Sequence, residues 1–287
     1  MMSTRLLRTM LACFLLDPNA VSATEVMPGS SQDPSSYANV DQFQPSHMSF
    51  ELSVSFEDSS TFGFVTHTLT VLEENVQTVF LDVWNGLEVL GAEFQRAMTE
   101  FEDFTQVPFE ITTPNPNIGN ALGVTLPVEM MAGTIFFLRL SYRTNADTTA
   151  ISWMTPSQTA GKELPFMYSL CQMNFCRDLA PMMDSPSQKI TYDATVVAPS
   201  GLVVGMSANE TGSMALNETH TVSSFECSIR VPSYLIAIVI GDLVTSNISS
   251  RVRVMSEPSL LESAVTEFAE LPDALDFIED VSYFLST

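Results

Sequence analysis

The chain has 287 residues, 45% of them hydrophobic, with 34 acidic against 11 basic side chains and a formal net charge of −23. A composition this apolar is not that of a disordered chain, and the length allows a substantial buried core. The acidity opposes binding to nucleic acid or to an anionic membrane surface, so neither is an expected partner.

At the N-terminus Arg5 and Arg8 precede the apolar run Thr9–Leu16, and Val21-Ser-Ala23 supplies small residues suited to cleavage. This is the layout of a secretory leader over residues 1–23, with an unstructured tail as the competing reading. A leader implies secretion; a tail leaves the chain in the cytoplasm. No later stretch is long and apolar enough to cross a bilayer, so no integral membrane segment is expected. Residues 24–46 are rich in Ser, Pro, Gln and Asp and predict a flexible lead-in with turns.

Regular structure is expected from His47. Met48–Phe56 alternates apolar and polar residues, the period of a half-buried strand, and Thr61–Leu72 repeats the pattern after an Asp58-Ser-Ser turn. Val76–Val83 and Leu87–Phe94 are further strands. Arg96–Asn120 is less regular, and its Pro-Asn-Pro-Asn-Ile-Gly run predicts a loop. Strong strand patterns return at Thr134–Tyr142, Lys189–Val197, Leu202–Met206 and Val222–Val231. The continuous apolar run Tyr234–Gly241 predicts a strand covered on both faces. Residues 47–255 therefore form a many-stranded antiparallel β-domain.

The pattern changes to helix at Ser256. Ser259-Leu-Leu-Glu262 fits a capping box, and Leu261, Val265 and Phe268 share one face. Pro272 breaks or restarts the helix, and Leu275, Ile278 and Val281 continue an apolar face.

Little in the chain resembles a self-contained catalytic centre. His47, His67 and His220 are isolated in sequence and predict strand or surface residues rather than metal ligands. Cys171 and Cys176 stand as a lone C-x-x-x-x-C, which does not match a zinc site. Loss of a leader would remove Cys13 and leave three cysteines, at least one of them unpaired. No G-x-S-x-G, P-loop or G-x-G-x-x-G run occurs, and the many acids read as solvated surface. Three glycosylation sequons, at Asn209, Asn217 and Asn247, match the number that so many Ser and Thr produce by chance.

The most informative stretch is Ala150–Pro186. An aromatic-apolar run, Leu164-Pro-Phe-Met-Tyr168, predicts a strand whose end presents the amides of Gln172 and Asn174 at a surface or cleft. Such amides can instead satisfy their own loop's backbone, and composition alone does not choose between the two.

The run W-M-T-P-S-Q-T-A-G-K-E-L-P-F, then S-L-C-Q-M-N-F-C-R and D-S-P, resembles the N-terminal domain of the M1 zinc aminopeptidases, in the leukotriene A-4 hydrolase and aminopeptidase B branch. A second match is V-P-S-Y-L-I-A-I-V-I-G at Val231–Gly241, and weaker likeness runs from about Asp33 onward. The resemblance implies a mainly β fold: a large, twisted, saddle-like antiparallel sheet or sandwich. It implies that residues 256–287 are the helical start of a truncated catalytic domain. It assigns Gln172 to contact with a peptide substrate's N-terminus, and Arg177 and Asp184 to structural positions near the cleft. Leu170 stands where relatives carry the first glutamine of this segment, which puts ordinary substrate specificity in doubt, and Met182 stands where they carry cysteine. Cys171 and Cys176 match cysteines that relatives carry in a reducing compartment, which favours free thiols.

Family enzymes hold zinc with H-E-x-x-H and a later glutamate, and grip the substrate amine with G-x-M-E-N; neither motif is in this sequence. The resemblance therefore implies the N-terminal part of a zinc aminopeptidase, inactive alone and binding no zinc itself, whose partner is the missing catalytic domain. The alternative is a non-catalytic β-rich module that binds a peptide or protein.

Overall fold

The computed structural model describes residues 33–97 and 103–286; the leader reading at residues 1–23 lies outside the described residues. In chain order the strands are β1 Phe43–Ser55, β2 Ser60–Val71, β3 Thr78–Val83, β4 Leu87–Arg96, β5 Thr105–Gln106, β6 Phe109–Asn115, β7 Gly119–Thr125, β8 Ile135–Thr144, β9 Ile151–Met154 and β10 Phe166–Ser169. They continue as β11 Lys189–Pro199, β12 Val203–Met206, β13 Asn209–Ala215, β14 His220–Pro232, β15 Ile238–Gly241, β16 Val244–Asn247 and β17 Arg253–Ser256. Two helices follow, α1 Leu261–Glu267 and α2 Leu271–Ser286.

The largest sheet has eight strands in the order β13-β14-β11-β1-β2-β8-β4-β5. Three smaller sheets accompany it: β12-β15-β10-β9, β3-β7-β6 and the β16-β17 ribbon. Their apolar faces meet in one core, to which the large sheet gives Phe50, Val65 and Leu138, the three-stranded sheet Leu81 and Leu122, and the four-stranded sheet Met167 and Ile240.

The sequence alternation produces this core directly, with bulges correcting its phase. In β1 the buried residues are Phe43 and Pro45, then Met48, Phe50, Leu52 and Val54. That change from odd to even positions would place half the strand on the wrong face of a regular ladder. A register shift between Pro45 and His47 absorbs the extra residue and keeps both halves pointing inward. A second shift, between Val89 and Gly91 in β4, does the same for Leu87, Val89, Ala92 and Phe94.

At the β1–β2 pairing Gly63 has φ +152°, and a Cβ built there would lie 1.8 Å from the Glu51 carbonyl oxygen. Only glycine fits that approach.

Several expectations need correction. The strand pairing is antiparallel except between β1 and β11, which run parallel. The lead-in is not loose over its described part: Ser36, Tyr37, Ala38, Asn39 and Val40 are buried, and β1 begins at Phe43 rather than His47. Those polar residues are buried because their side chains and amides satisfy other buried groups, described below. The Pro-Asn-Pro-Asn-Ile-Gly run is the turn of a β6–β7 hairpin rather than an irregular loop, closed by Ile118 N–H donating to Asn115 O at 3.1 Å. Of the apolar run before Gly241, only Ile238–Gly241 is strand; Ser233–Leu235 forms a 3₁₀ turn.

The capping box does not form. Pro258–Leu260 is a 3₁₀ turn, and α1 starts after Leu260 with no side-chain cap. Glu257, not Ser259, caps a neighbour: its carboxylate accepts from the backbone N–H groups of Ala160 and Gly161 at 2.9 and 3.1 Å. Pro272 sits in the first turn of α2 and starts a new helix, since a missing N–H costs nothing there. No helix among the described residues is long and apolar enough to cross a membrane.

Candidate functional site

The site is built where β10 ends. β10 pairs with β9 and β15, and its last residue, Ser169, accepts from Ile238 N–H at 2.9 Å, which fixes the strand end against β15. The chain then leaves the sheet as an exposed excursion: Leu170 is 57% and Met173 74% accessible, and Gln172 is exposed. The Gln172–Met173 peptide bond is cis. Among the described residues the Gln172 amide has no side-chain hydrogen bond, so its donors and acceptor are available to a ligand. A groove of about 390 Å³ opens beside the strand end, lined by Tyr168, Ser169, Met206, Ala237, Ile238 and Arg253 among others. A hollow of about 430 Å³ lies at the far end of β1 and β2 and touches none of this segment, so it is not part of the site.

Two devices hold the loop's base. Cys171 and Cys176 are joined as a disulfide, with Cα atoms 4.4 Å apart, where the resemblance implied free thiols. The loop folds back on itself and brings the pair within bonding range. The sulfur of Cys176 also lies 3.0 Å from the Ser233 carbonyl oxygen, a close approach rather than a hydrogen bond, since a disulfide sulfur has no proton to give.

The second device is a buried ionic network. Residues 176–185 are buried without forming a strand, so their polar groups must be met from inside the protein. Arg177 is fully buried. Its Nε donates to Asp184 Oδ2 at 3.1 Å and its Nη2 to the Asp184 carbonyl at 3.0 Å. Its Nη1 donates to the carbonyls of Ser35 and Ile118 at 2.8 and 2.7 Å. Asp184 Oδ1 accepts from the Ser233 hydroxyl at 2.5 Å, in the V-P-S-Y-L-I segment that carried the second sequence match.

Asp82 completes the cluster, 3.5 Å from Arg177 Nη1. It accepts from the Ser36 hydroxyl at 2.6 Å, the Tyr37 N–H at 2.7 Å and the Asp184 N–H at 3.0 Å. Burial nevertheless pushes its carboxyl up to about 6, against the pull of Arg177, whose nearer partner is Asp184. The network thus ties the lead-in, β3, the β6–β7 turn, the loop base and the approach to β15 into one unit.

Arg177 and Asp184 are therefore brought together beneath the loop, while Gln172 stands outside it in solvent. Asp82, Ser36 and Ser233 were missed by sequence reasoning. A lone buried-strand aspartate in Val79-Phe-Leu-Asp-Val83 was the available sign, because an acid inside an apolar strand needs an internal partner. His67, in β2, is buried beneath the same segment. Its Nε2 donates to the Pro181 carbonyl at 2.9 Å, its Nδ1 has no partner, and burial lowers it to about 4, so the ring is neutral.

Residues 44–235 match the Peptidase M1 N-terminal domain. The chain belongs to the M1 peptidase family. It is 30% identical over 252 residues to leukotriene A-4 hydrolase of Xenopus laevis, covering 87% of this chain and 40% of that protein. It is 33% identical over 280 residues to leucine aminopeptidase 2 of Candida glabrata, covering 98% and 38%, and 36% identical over 200 residues to aminopeptidase B of Rattus norvegicus, covering 69% and 30%. The native yeast leukotriene A-4 hydrolase structure superposes with a TM-score of 0.73 at 30% identity, over 88% of this chain and 37% of that one. This M1 chain thus spans 40% or less of the curated relatives named here.

The zinc implied by the family has no matching donors among the described residues. His47 is engaged by Thr191 and Asp193, both at 2.7 Å, and His220 by Thr219 at 2.9 Å. No three His, Cys, Asp or Glu side chains converge into a metal-binding group among the described residues.

Proposed function

We propose that this M1 domain supplies the β-built wall of a peptidase cleft and holds the N-terminal residue of a peptide substrate through Gln172. The hydrolytic step then belongs to a zinc-bearing catalytic domain, because the motifs that would carry it are not in these 287 residues. The exposed, unpartnered amide of Gln172 on a base fixed by Arg177 and Asp184 supports this reading above any other feature. An amide suits a peptide terminus, since it offers an acceptor to the ammonium and donors to the first carbonyl. Leu170 beside it supplies no such group, so the domain contributes one polar contact at that point and an apolar surface for the substrate's first side chain.

The test uses residues 24–287 alone and joined to the catalytic segment of the yeast relative. The domain alone is expected to bind no stoichiometric zinc and to leave aminoacyl reporter substrates intact. One bound zinc with chelator-sensitive turnover would overturn the reading. In the joined protein, Gln172→Ala is expected to raise KM for free-amine substrates about tenfold, the cost of one lost charge-assisted hydrogen bond. An unchanged KM would reject the contact and favour the non-catalytic binding module.

A further inference from the structure

The open edge of the eight-stranded sheet is a strand with no buried face. β13 lies at the end of the sheet, pairs only with β14, and is exposed at all seven residues. Exposure continues through the turn, so residues 209–219 are accessible throughout, including Met214 at 68% and Leu216 at 56%. Glu210 and Glu218 are the only charges in that run. An edge with free backbone groups, apolar side chains and little charge invites pairing with a second chain unless something covers it. One sequon opens this strand, Asn209-Glu-Thr211, and a second, Asn217-Glu-Thr219, lies in the turn that follows it.

We infer that Asn209 and Asn217 are N-glycosylated and that the two glycans fence the β13 edge. At Asn217 the side-chain oxygen is held by the N–H groups of Thr219 and His220, each at 2.9 Å, and by the Thr219 hydroxyl at 3.0 Å. That leaves its Nδ2 pointing away from these contacts, with no partner among the described residues. The hollow of about 430 Å³ beside it, lined by Phe56, Phe62, Leu216 and His220 among others, gives a first sugar ring an apolar surface to lie on.

One observation and one expectation outside the edge fit the same compartment. The leader-like N-terminus would admit the chain to the secretory pathway, and the Cys171–Cys176 disulfide is a bond that persists in oxidising surroundings. The transfer needs only a lipid-linked oligosaccharide as donor. The Asn Nδ2 bonds to the anomeric carbon, the lipid diphosphate departs with the bonding pair, and one amide proton passes to solvent.

The full chain with its own N-terminus, produced in eukaryotic cells, decides the matter by intact mass before and after peptide N-glycosidase. The expected result is loss of glycan mass with Asn converted to Asp at both 209 and 217, irrespective of the third sequon at Asn247. Thr211→Ala is expected to abolish the first and Thr219→Ala the second while leaving each asparagine in place. A chain whose mass the glycosidase does not change overturns the inference, as does modification that spares both positions. The fencing role is read separately: the enzymatically trimmed protein and the Asn209→Gln/Asn217→Gln variant should both self-associate as concentration rises, by light scattering. If both stay monomeric while the wild type is glycosylated, the glycans do not protect the edge.

Discussion

Replacing Arg177 by methionine keeps much of the side chain's bulk and removes the charge at the centre of the buried network. The change strands several groups at once. Among the described residues, the buried Asp184 and Asp82 lose their one nearby cation, and the carbonyls of Ser35, Ile118 and Asp184 lose a donor. Removing one partner of a buried ion pair costs about 3–5 kcal/mol, and most of that is the burden of the charges left behind. Against a total stability of about 5–15 kcal/mol, the variant should lie near the threshold of folding. Urea unfolding followed by tryptophan fluorescence gives the measurement, because the Trp84 N–H donates to the Arg177 carbonyl and its indole packs edge-on to Phe175. Asp184→Asn and the double variant complete a cycle, with the double variant expected to be more stable than the sum of the two singles. A loss below about 1 kcal/mol in Arg177→Met, with an unchanged slope, would mean that the cluster is solvated and the reasoning about burial is wrong.

Three further outcomes follow from named features. His67 has a folded value of about 4 against 6.5 unfolded, so its contribution is complete above pH 6.5 and is lost as pH falls through that range to about 4. The stability of wild type relative to His67→Leu should therefore drop by about 3 kcal/mol between pH 7 and pH 4, and a pH-independent difference would contradict this. Asp82 shifts the opposite way: its contribution is present below 3.8 and is lost as pH rises through about 6, so Asp82→Asn should flatten that limb of the stability curve. Gly63→Ala should cost more than about 3 kcal/mol because its Cβ would strike the Glu51 carbonyl, whereas Gly212→Ala, with open space around it, should be close to neutral in thermal melts.

The strands that alternate were legible in the sequence, and the ones that do not were not. β8 places Phe136, Leu138, Leu140 and Tyr142 at every second position and buries all four, so its period and its buried face could both be deduced. β2 was legible as a strand but its buried face was not, since Phe62 and Phe64 are exposed and His67 is buried. β13 is exposed on both faces and carries no such pattern. The lead-in misled for a different reason. Ser36 and Asn39 look like loop residues, yet Ser36 binds Asp82, while Asn39 donates to the Thr78 carbonyl and accepts from Phe80 N–H, each at 2.8 Å. Polar composition marks a loop only when its polar groups face water. The loop at Gln172 was visible through its motif, but the buried cluster beneath it joins residues from across the sequence, and no local window contains it.

The parallel contact between β1 and β11 has a consequence for how the chain is made. His47 and Thr191 lie side by side although 144 residues separate them. During synthesis β1 can dock on β2 almost at once, but its other flank has nothing to meet until β11 leaves the ribosome. For that interval a long strand with a polar backbone row and an apolar face waits half-dressed. A chaperone, or early closure of the β2-β8-β4 side, must shelter it, and any change that delays β11 should lower the yield of folded protein more than its effect on the finished molecule would indicate.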